Sequence, residues 1–167
     1  IDTARDVLVS AGLVGDTVRF PSLLLEEPSK LEVLAHRPGD PVDRRVRAVL
    51  LDIETGKSQV AVVSVTGREV VSVEGVDPAQ DGQPPILLEE FIATEEIVKA
   101  DAAWAAAVNR RGITDLSLVR PCALAAGWYD LPGEAGRRLV RALSFVQNRP
   151  NDHCWAHPID GLVAYVD

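Results

Sequence analysis

The chain has 167 residues, of which 47% are hydrophobic and 25% charged, enough apolar material for one ordinary core or two small ones and too much for a disordered chain. Its formal net charge of -8 excludes a nucleic-acid binder, which needs cationic side chains to displace phosphate counterions. No run approaches the roughly 18 apolar residues of a membrane span, and the N-terminus lacks a basic segment leading into an apolar one.

The chain begins at Ile1 and contains no methionine, so it reads as a fragment of a longer protein. Asp2 and Thr3 are placed to cap a first helix, with Ala4, Val7, Leu8 and Ala11 at helical spacing and Gly12 at its exit. Strands are expected over 17–25, 43–53, 59–65 and 69–76. In the second of these, Val46, Ala48 and Leu50 alternate with Arg45, Arg47 and Val49, the pattern of a half-buried strand. The turns Glu54-Thr55-Gly56-Lys57 and Thr66-Gly67 join the later strands into a meander.

Residues 77–85, with three prolines and no large apolar side chain, read as a linker between two units. A second helix is expected with Thr94 as its cap. Glu95 and Glu96 fall in its first turn, Arg110 and Arg111 in its last, and Ile97, Ala100, Trp104, Ala107 and Val108 form its apolar stripe. Strands follow over 118–125, 137–147 and from Asp160 onward. The order of a helix followed by strands thus occurs twice, which predicts an α+β fold of two units, each a helix packed on an antiparallel sheet.

Several segments, taken in order, carry a family resemblance. They are Pro84-Pro85-Ile86-Leu87-Leu88-Glu89-Glu90-Phe91, Arg111-Gly112-Ile113-Thr114-Asp115, the run from Gly136 to Leu143, and the final stretch from Cys154 through Trp155-Ala156-His157-Pro158 to Asp167. Together they resemble the two small cystatin-like N-terminal domains of bacterial copper/topaquinone amine oxidases. Residues 1–88 correspond to the first (N2) and residues 89–167 to the second (N3).

The resemblance implies a parent enzyme that oxidises primary, chiefly aromatic, amines to aldehyde, ammonia and hydrogen peroxide. It implies a C-terminal catalytic domain in the same chain, copper and topaquinone as the parent's cofactors, a homodimeric parent and a cytoplasmic location. It assigns no catalytic residue, metal ligand or cofactor to this part. The family's quinone-forming tyrosine lies in Asn-Tyr-Asp or Asn-Tyr-Glu, whereas Tyr129 sits in Trp128-Tyr129-Asp130 and Tyr165 between Ala164 and Val166. The His-x-His copper motif is missing too: His36 falls in the first unit, and His153 and His157 flank a stretch that Pro158 keeps extended. His157 is expected to hydrogen-bond its loop into the final strand.

The same resemblance implies that part of this chain lines the parent's substrate channel, through Phe91, Cys122, Ala123, Leu124 and Trp155, with the surface around Trp155, Cys122 and Leu124 exposed. Relatives read Ala-Pro-Leu where this chain has Cys122-Ala123-Leu124. Glu89, Glu90, Glu95 and Glu96 are expected to concentrate cationic amines near the channel mouth. The two cysteines are too few for a disulfide framework and read as free thiols. A free-standing cystatin-like inhibitor is the alternative, but inhibitors of that type present Gln-x-Val-x-Gly on a hairpin loop, and Gln59-Val60-Ala61-Val62-Val63 lacks both the valine in register and the glycine. A small ligand-binding α+β domain is a third reading, for which the sequence offers no cluster of convergent polar groups.

Overall fold

The structure is a computed structural model and describes residues 1–127, 129 and 131–167. The chain divides into two compact units, Ile1–Pro84 and Pro85–Asp167. Each combines helix with an antiparallel sheet, as the α+β expectation requires.

In the first unit, helix α1 (Asp2–Ser10) lies on a four-stranded sheet of order β1-β2-β3-β4, formed by Val18–Glu26, Arg45–Asp52, Ser58–Ser64 and Glu69–Val76. Every neighbouring pair is antiparallel. The core forms where the helical and strand periods meet: Ala4 and Leu8 from α1 close on Val46, Ala48 and Leu50 of β2 and Ala61 and Val63 of β3. The alternation in β2 is therefore realised with its apolar set inward. The β3–β4 turn needs a left-handed residue, and it is Arg68 (φ 56°), not Gly67, that supplies it.

The sequence reading passed over one helix. Helix α2 (Lys30–Ala35) is built by a reciprocal cap: the Glu32 N–H donates to Ser29 Oγ (3.3 Å), and the Ser29 N–H donates to Glu32 Oε2 (2.7 Å). The Ser-x-x-Glu spacing is the signal for it. Leu31, Leu34 and Ala35 stand at helical spacing, yet none of its side chains is buried.

The second unit departs from expectation in its helical part. Instead of one helix capped by Thr94 there are two, α3 (Leu88–Ala100) and α4 (Ala102–Asn109). Thr94 is buried inside α3, where its Oγ1 donates to the Glu90 carbonyl (2.7 Å). The true start is Leu87, whose N–H donates to Glu90 Oε2 (2.7 Å). Asp101 breaks the run with an extended backbone (ψ 120°) and caps α4 by accepting from the Trp104 N–H (2.6 Å). The break resets the phase of the apolar face, so Ile97 is 53% exposed while Val98 is buried in its place; Trp104 and Val108 face the core as expected.

The sheet of this unit has the order β5-β6-β7, formed by Val119–Ala125, Val140–Val146 and His157–Val166. Val98, Trp104 and Val108 meet Val119, Ala142, Ile159 and Leu162 in its core. The last strand begins at His157, three residues before the expected start at Asp160, with Pro158 inside it opposite Phe145. Proline is tolerated there because β7 is the outer strand of the three and its register shifts between Leu143 and Phe145, opposite residues 159–162, among which Gly161 has φ 64°.

Two polar contacts fasten helix to sheet. Trp104 Nε1 donates to the buried Ser144 Oγ (2.9 Å). Arg138, just ahead of β6, grips the Glu90 carboxylate through Nε (2.5 Å) and Nη2 (2.6 Å), and also donates to the Pro85 carbonyl (3.0 Å). The paired geometry joins the start of α3 to the entrance of β6. Burial alone would raise the Glu90 carboxyl, but the bonds from Arg138 and the Leu87 N–H outweigh it and hold the carboxyl below the ordinary 4.5.

Trp104→Phe leaves the Ser144 hydroxyl buried without its donor and is expected to cost about 1–3 kcal/mol in urea denaturation. Adding Ser144→Ala removes the orphaned group and should recover part of that loss; a double variant as unstable as the sum of the singles would deny the coupling. For Glu90 the sign follows from the lowered pKa. Its contribution is present above the unfolded carboxylate value and is lost as pH falls through the folded one. Glu90→Gln should therefore be less stable than the natural sequence near neutral pH, with the gap closing well below pH 4.5. Equal gaps at both pH values would show that the ionised pair does not contribute.

Candidate functional site

Phe91 stands in the first turn of α3, immediately after the Glu90 that caps it. Trp155 stands in the coil between β6 and β7, and the two rings meet edge to face, with centroids 6.4 Å apart and planes at 64°. His153 packs on the indole from another side (6.0 Å, 69°), and its Nδ1 accepts from the Trp155 N–H (3.1 Å). Trp155 is 46% exposed, so the cluster fixes the indole while leaving much of it in solvent.

Asp152 organises the coil that carries the indole. Its carbonyl accepts from Gln147 Nε2 (2.6 Å), Oδ1 from the His153 N–H (3.0 Å) and Oδ2 from the Asn148 N–H (3.3 Å), while His157 Nε2 lies 2.9 Å from Oδ2. The His157 contact, with the Asn148 N–H behind it, holds the Asp152 carboxyl below its usual value. His157 thus ties the coil to the first residue of β7, the role its position suggested.

The strand candidates are split by the pleat of β5. Ala123 is 4% exposed and pairs with Ala142 on the helix side, within the core. Cys122 and Leu124 point to the opposite face. Leu124 is 37% exposed, but Cys122, expected at the surface, is only 8% exposed, seated mid-strand across from Leu143. Three consecutive strand residues cannot present their side chains to one surface, so Ala123 and Cys122 do not join Leu124 and Trp155 as exposed groups.

Two residues that the sequence reading did not single out share the Leu124 face. Tyr165 and Val163 of β7 lie across β6 from Leu124 and Cys122 and are about half exposed. The alternation of Leu162, Ala164 and Val166 with Val163 and Tyr165 was the available signal.

The carboxylates near residue 90 are less available than expected. Glu90 is bound by Arg138, and Glu95 Oε1 lies 2.5 Å from Lys99 Nζ. Among the described residues no three His, Cys, Asp or Glu side chains converge where a metal ion could sit. His153 and His157 are each engaged within the coil, and neither Tyr129 nor Tyr165 has the quinone-forming sequence around it, so these residues fit neither copper nor a quinone. Trp128 and Asp130, which flank Tyr129, lie outside the described residues. Gln59–Val63 runs through β3, between β2 and β4, which is no place for an inhibitory hairpin loop. An open groove in the first unit, lined by Asp6, Val7, Ser10, Arg68, Glu69 and Val70 among others, contains none of the candidate residues.

Comparison with known proteins agrees with this layout. Residues 1–73 match the AGAO-like N2 domain model and residues 89–167 the copper amine oxidase N3 domain model. The chain is 45% identical over 169 residues to a histamine oxidase of Arthrobacter globiformis, covering 100% of this chain and 24% of that protein. It is 35% identical over 167 residues to a primary amine oxidase of Arthrobacter sp. (strain P1), covering 100% of this chain and 25% of the relative. It is 31% identical over 175 residues to a primary amine oxidase of Klebsiella aerogenes, covering 100% and 22%. The crystal structure of a copper-containing benzylamine oxidase from Hansenula polymorpha shares the fold, with a TM-score of 0.64 at 16% identity over 94% of this chain and 25% of that one. The chain therefore spans about a quarter of the length of these relatives. With one domain model on each unit and bacterial amine oxidases aligned along its whole length, this chain belongs to the copper amine oxidase family, as its N2 and N3 domains.

Proposed function

We propose that this chain is the non-catalytic N-terminal part of a longer copper amine oxidase and that its second unit contributes to the wall of the substrate channel. The parent takes a primary, aromatic amine to the aldehyde and releases ammonia and hydrogen peroxide. Its catalytic domain follows in the same chain and holds the copper and topaquinone, and it works as a homodimer in the cytoplasm. No step of the reaction is assigned to residues of this part, whose sequence holds neither the quinone-forming tyrosine motif nor His-x-His.

The observation that carries the channel reading is the Phe91–Trp155 contact. Two aromatics far apart in sequence are brought together by the α3 cap and the Asp152-organised coil, and the indole keeps 46% of its surface accessible. A ring held edge to face and still open to solvent can contact an aromatic amine in transit. Leu124 adds an apolar group on the outer face of β5. Amine attraction by carboxylates is narrower than the sequence suggested, since Glu90 and Glu95 have cationic partners of their own.

Two measurements test this. The 167-residue chain, incubated with cupric ion, oxygen and an aromatic amine, is expected to release no hydrogen peroxide and to develop no quinone absorption; either signal overturns the non-catalytic assignment. In the full-length parent, Trp155→Ala is expected to shift the ratio of kcat/KM for a bulky aromatic amine to that for methylamine by roughly tenfold, the scale of a change in one apolar contact. An unchanged ratio would remove Trp155 from the channel.

A further inference from the structure

The face of the β5-β6-β7 sheet turned away from the helices can be read in rows from the register. Cys122, Leu143 and Val163 make one row, and Leu124, Arg141 and Tyr165 the next. Leu124, Val163 and Tyr165 are 37%, 46% and 51% exposed, so the face is apolar and largely open. Its middle strand carries one cation. Arginine is charged at any working pH, yet the Arg141 Nε is closed off from solvent and makes no hydrogen bond. Its neighbours across the strands are a leucine and a tyrosine, and the next side chain along β6 on that face is Leu143. Nearby arginines are satisfied: Arg137 by Asp167, Arg138 by Glu90, and Arg120 by the Ser117 and Val119 carbonyls (2.6 and 3.2 Å). Among the described residues Arg141 has neither an ion pair nor a hydrogen bond. A guanidinium N–H taken from water without an acceptor is destabilising, and an apolar side chain at that position would avoid the cost.

We propose that in the full-length protein the remainder of the same chain covers this face and sets a carboxylate against Arg141. The proposal rests on the reading of this chain as part of a longer oxidase. Charge selects the group that arrives, since the Arg141 fork matches a carboxylate with two parallel bonds. Length selects its source: this chain covers 24%, 25% and 22% of the three bacterial relatives, so most of each lies beyond it. A second copy laid on the same face would bring two unpaired guanidinium groups together, and a free anion would leave the row of Leu143 and Val163 open. Arginine and tyrosine beside aliphatic side chains is the composition found at the centre of protein interfaces. Leu124, on the outer strand β5, then marks where the covered face borders the channel wall.

Tyr165 reports on the cover, because it stands in the Arg141 row and is half exposed without it. The full-length protein is nitrated with tetranitromethane at several protein concentrations, and the peptide ending β7 is mapped. Tyr165 is expected to react far more slowly than in the same protein unfolded in urea, at a rate independent of concentration. Arg141→Leu should raise that rate about tenfold, the scale of one charged hydrogen bond lost from a docked surface. Arg141→Lys keeps the charge without the fork and should raise it by a smaller factor; it decides the matter where Arg141→Leu does not fold. Tyr165 reacting in the native protein as fast as in urea, protection unchanged in Arg141→Leu, or protection that grows with protein concentration would each overturn the proposal. Peroxide release from an amine by the same preparation separates the two readings. An active oxidase with freely nitrated Tyr165 sinks the docking alone, and a full-length chain without oxidase activity sinks the parent assignment whatever Tyr165 does.

Discussion

The Glu90 carboxylate is the constraint on which the second unit turns. One side chain closes the first turn of α3 through the Leu87 N–H and receives a two-pronged grip from Arg138 at the mouth of β6. The Glu90 carbonyl, one turn along, takes the Thr94 hydroxyl that would otherwise be an unsatisfied buried group. Because the start of the helix is fixed against the sheet, Phe91 is fixed with it, and Trp155 has a defined edge to rest on. An ion pair of this kind positions more than it stabilises, since desolvating both partners opposes their attraction.

Much of the fold could be read from the sequence because period and burial agree there. The Val46, Ala48 and Leu50 alternation in β2 and the Trp104–Val108 face each have one inward set of side chains, and the structure places those sets in the two cores. Where sequence reading failed, a local cap outweighed the pattern. Thr94 followed by two glutamates resembles a helix start, yet the Glu90 carboxylate had already started the helix upstream and Asp101 restarted it downstream. Helix α2 spaces Leu31, Leu34 and Ala35 helically but buries none of them, so its plainest signal was the Ser29–Glu32 cap.

The candidate site was legible only as a set of named residues. Family resemblance pointed to Phe91, Leu124 and Trp155, and their exposure and ring contact suit a surface role. It could not separate Cys122, Ala123 and Leu124, because a motif written as consecutive letters ignores that a strand sends neighbours to opposite faces. The contributions of Val163 and Tyr165 to the Leu124 face depend on the β5-β6-β7 register, which no local spacing encodes.

Pro158 in β7 has a counterpart in Pro121 of β5, so both outer strands of the three-stranded sheet carry a proline while the central β6 has none. A proline offers no N–H to an incoming strand, and the register shift opposite Gly161 bends one of those edges further. The open borders of this small sheet therefore make poor templates for the backbone of another chain. A domain with half-exposed leucine, valine and tyrosine on its sheet face is thereby kept from growing strand by strand into an aggregate, whatever apolar surface it shows to its surroundings.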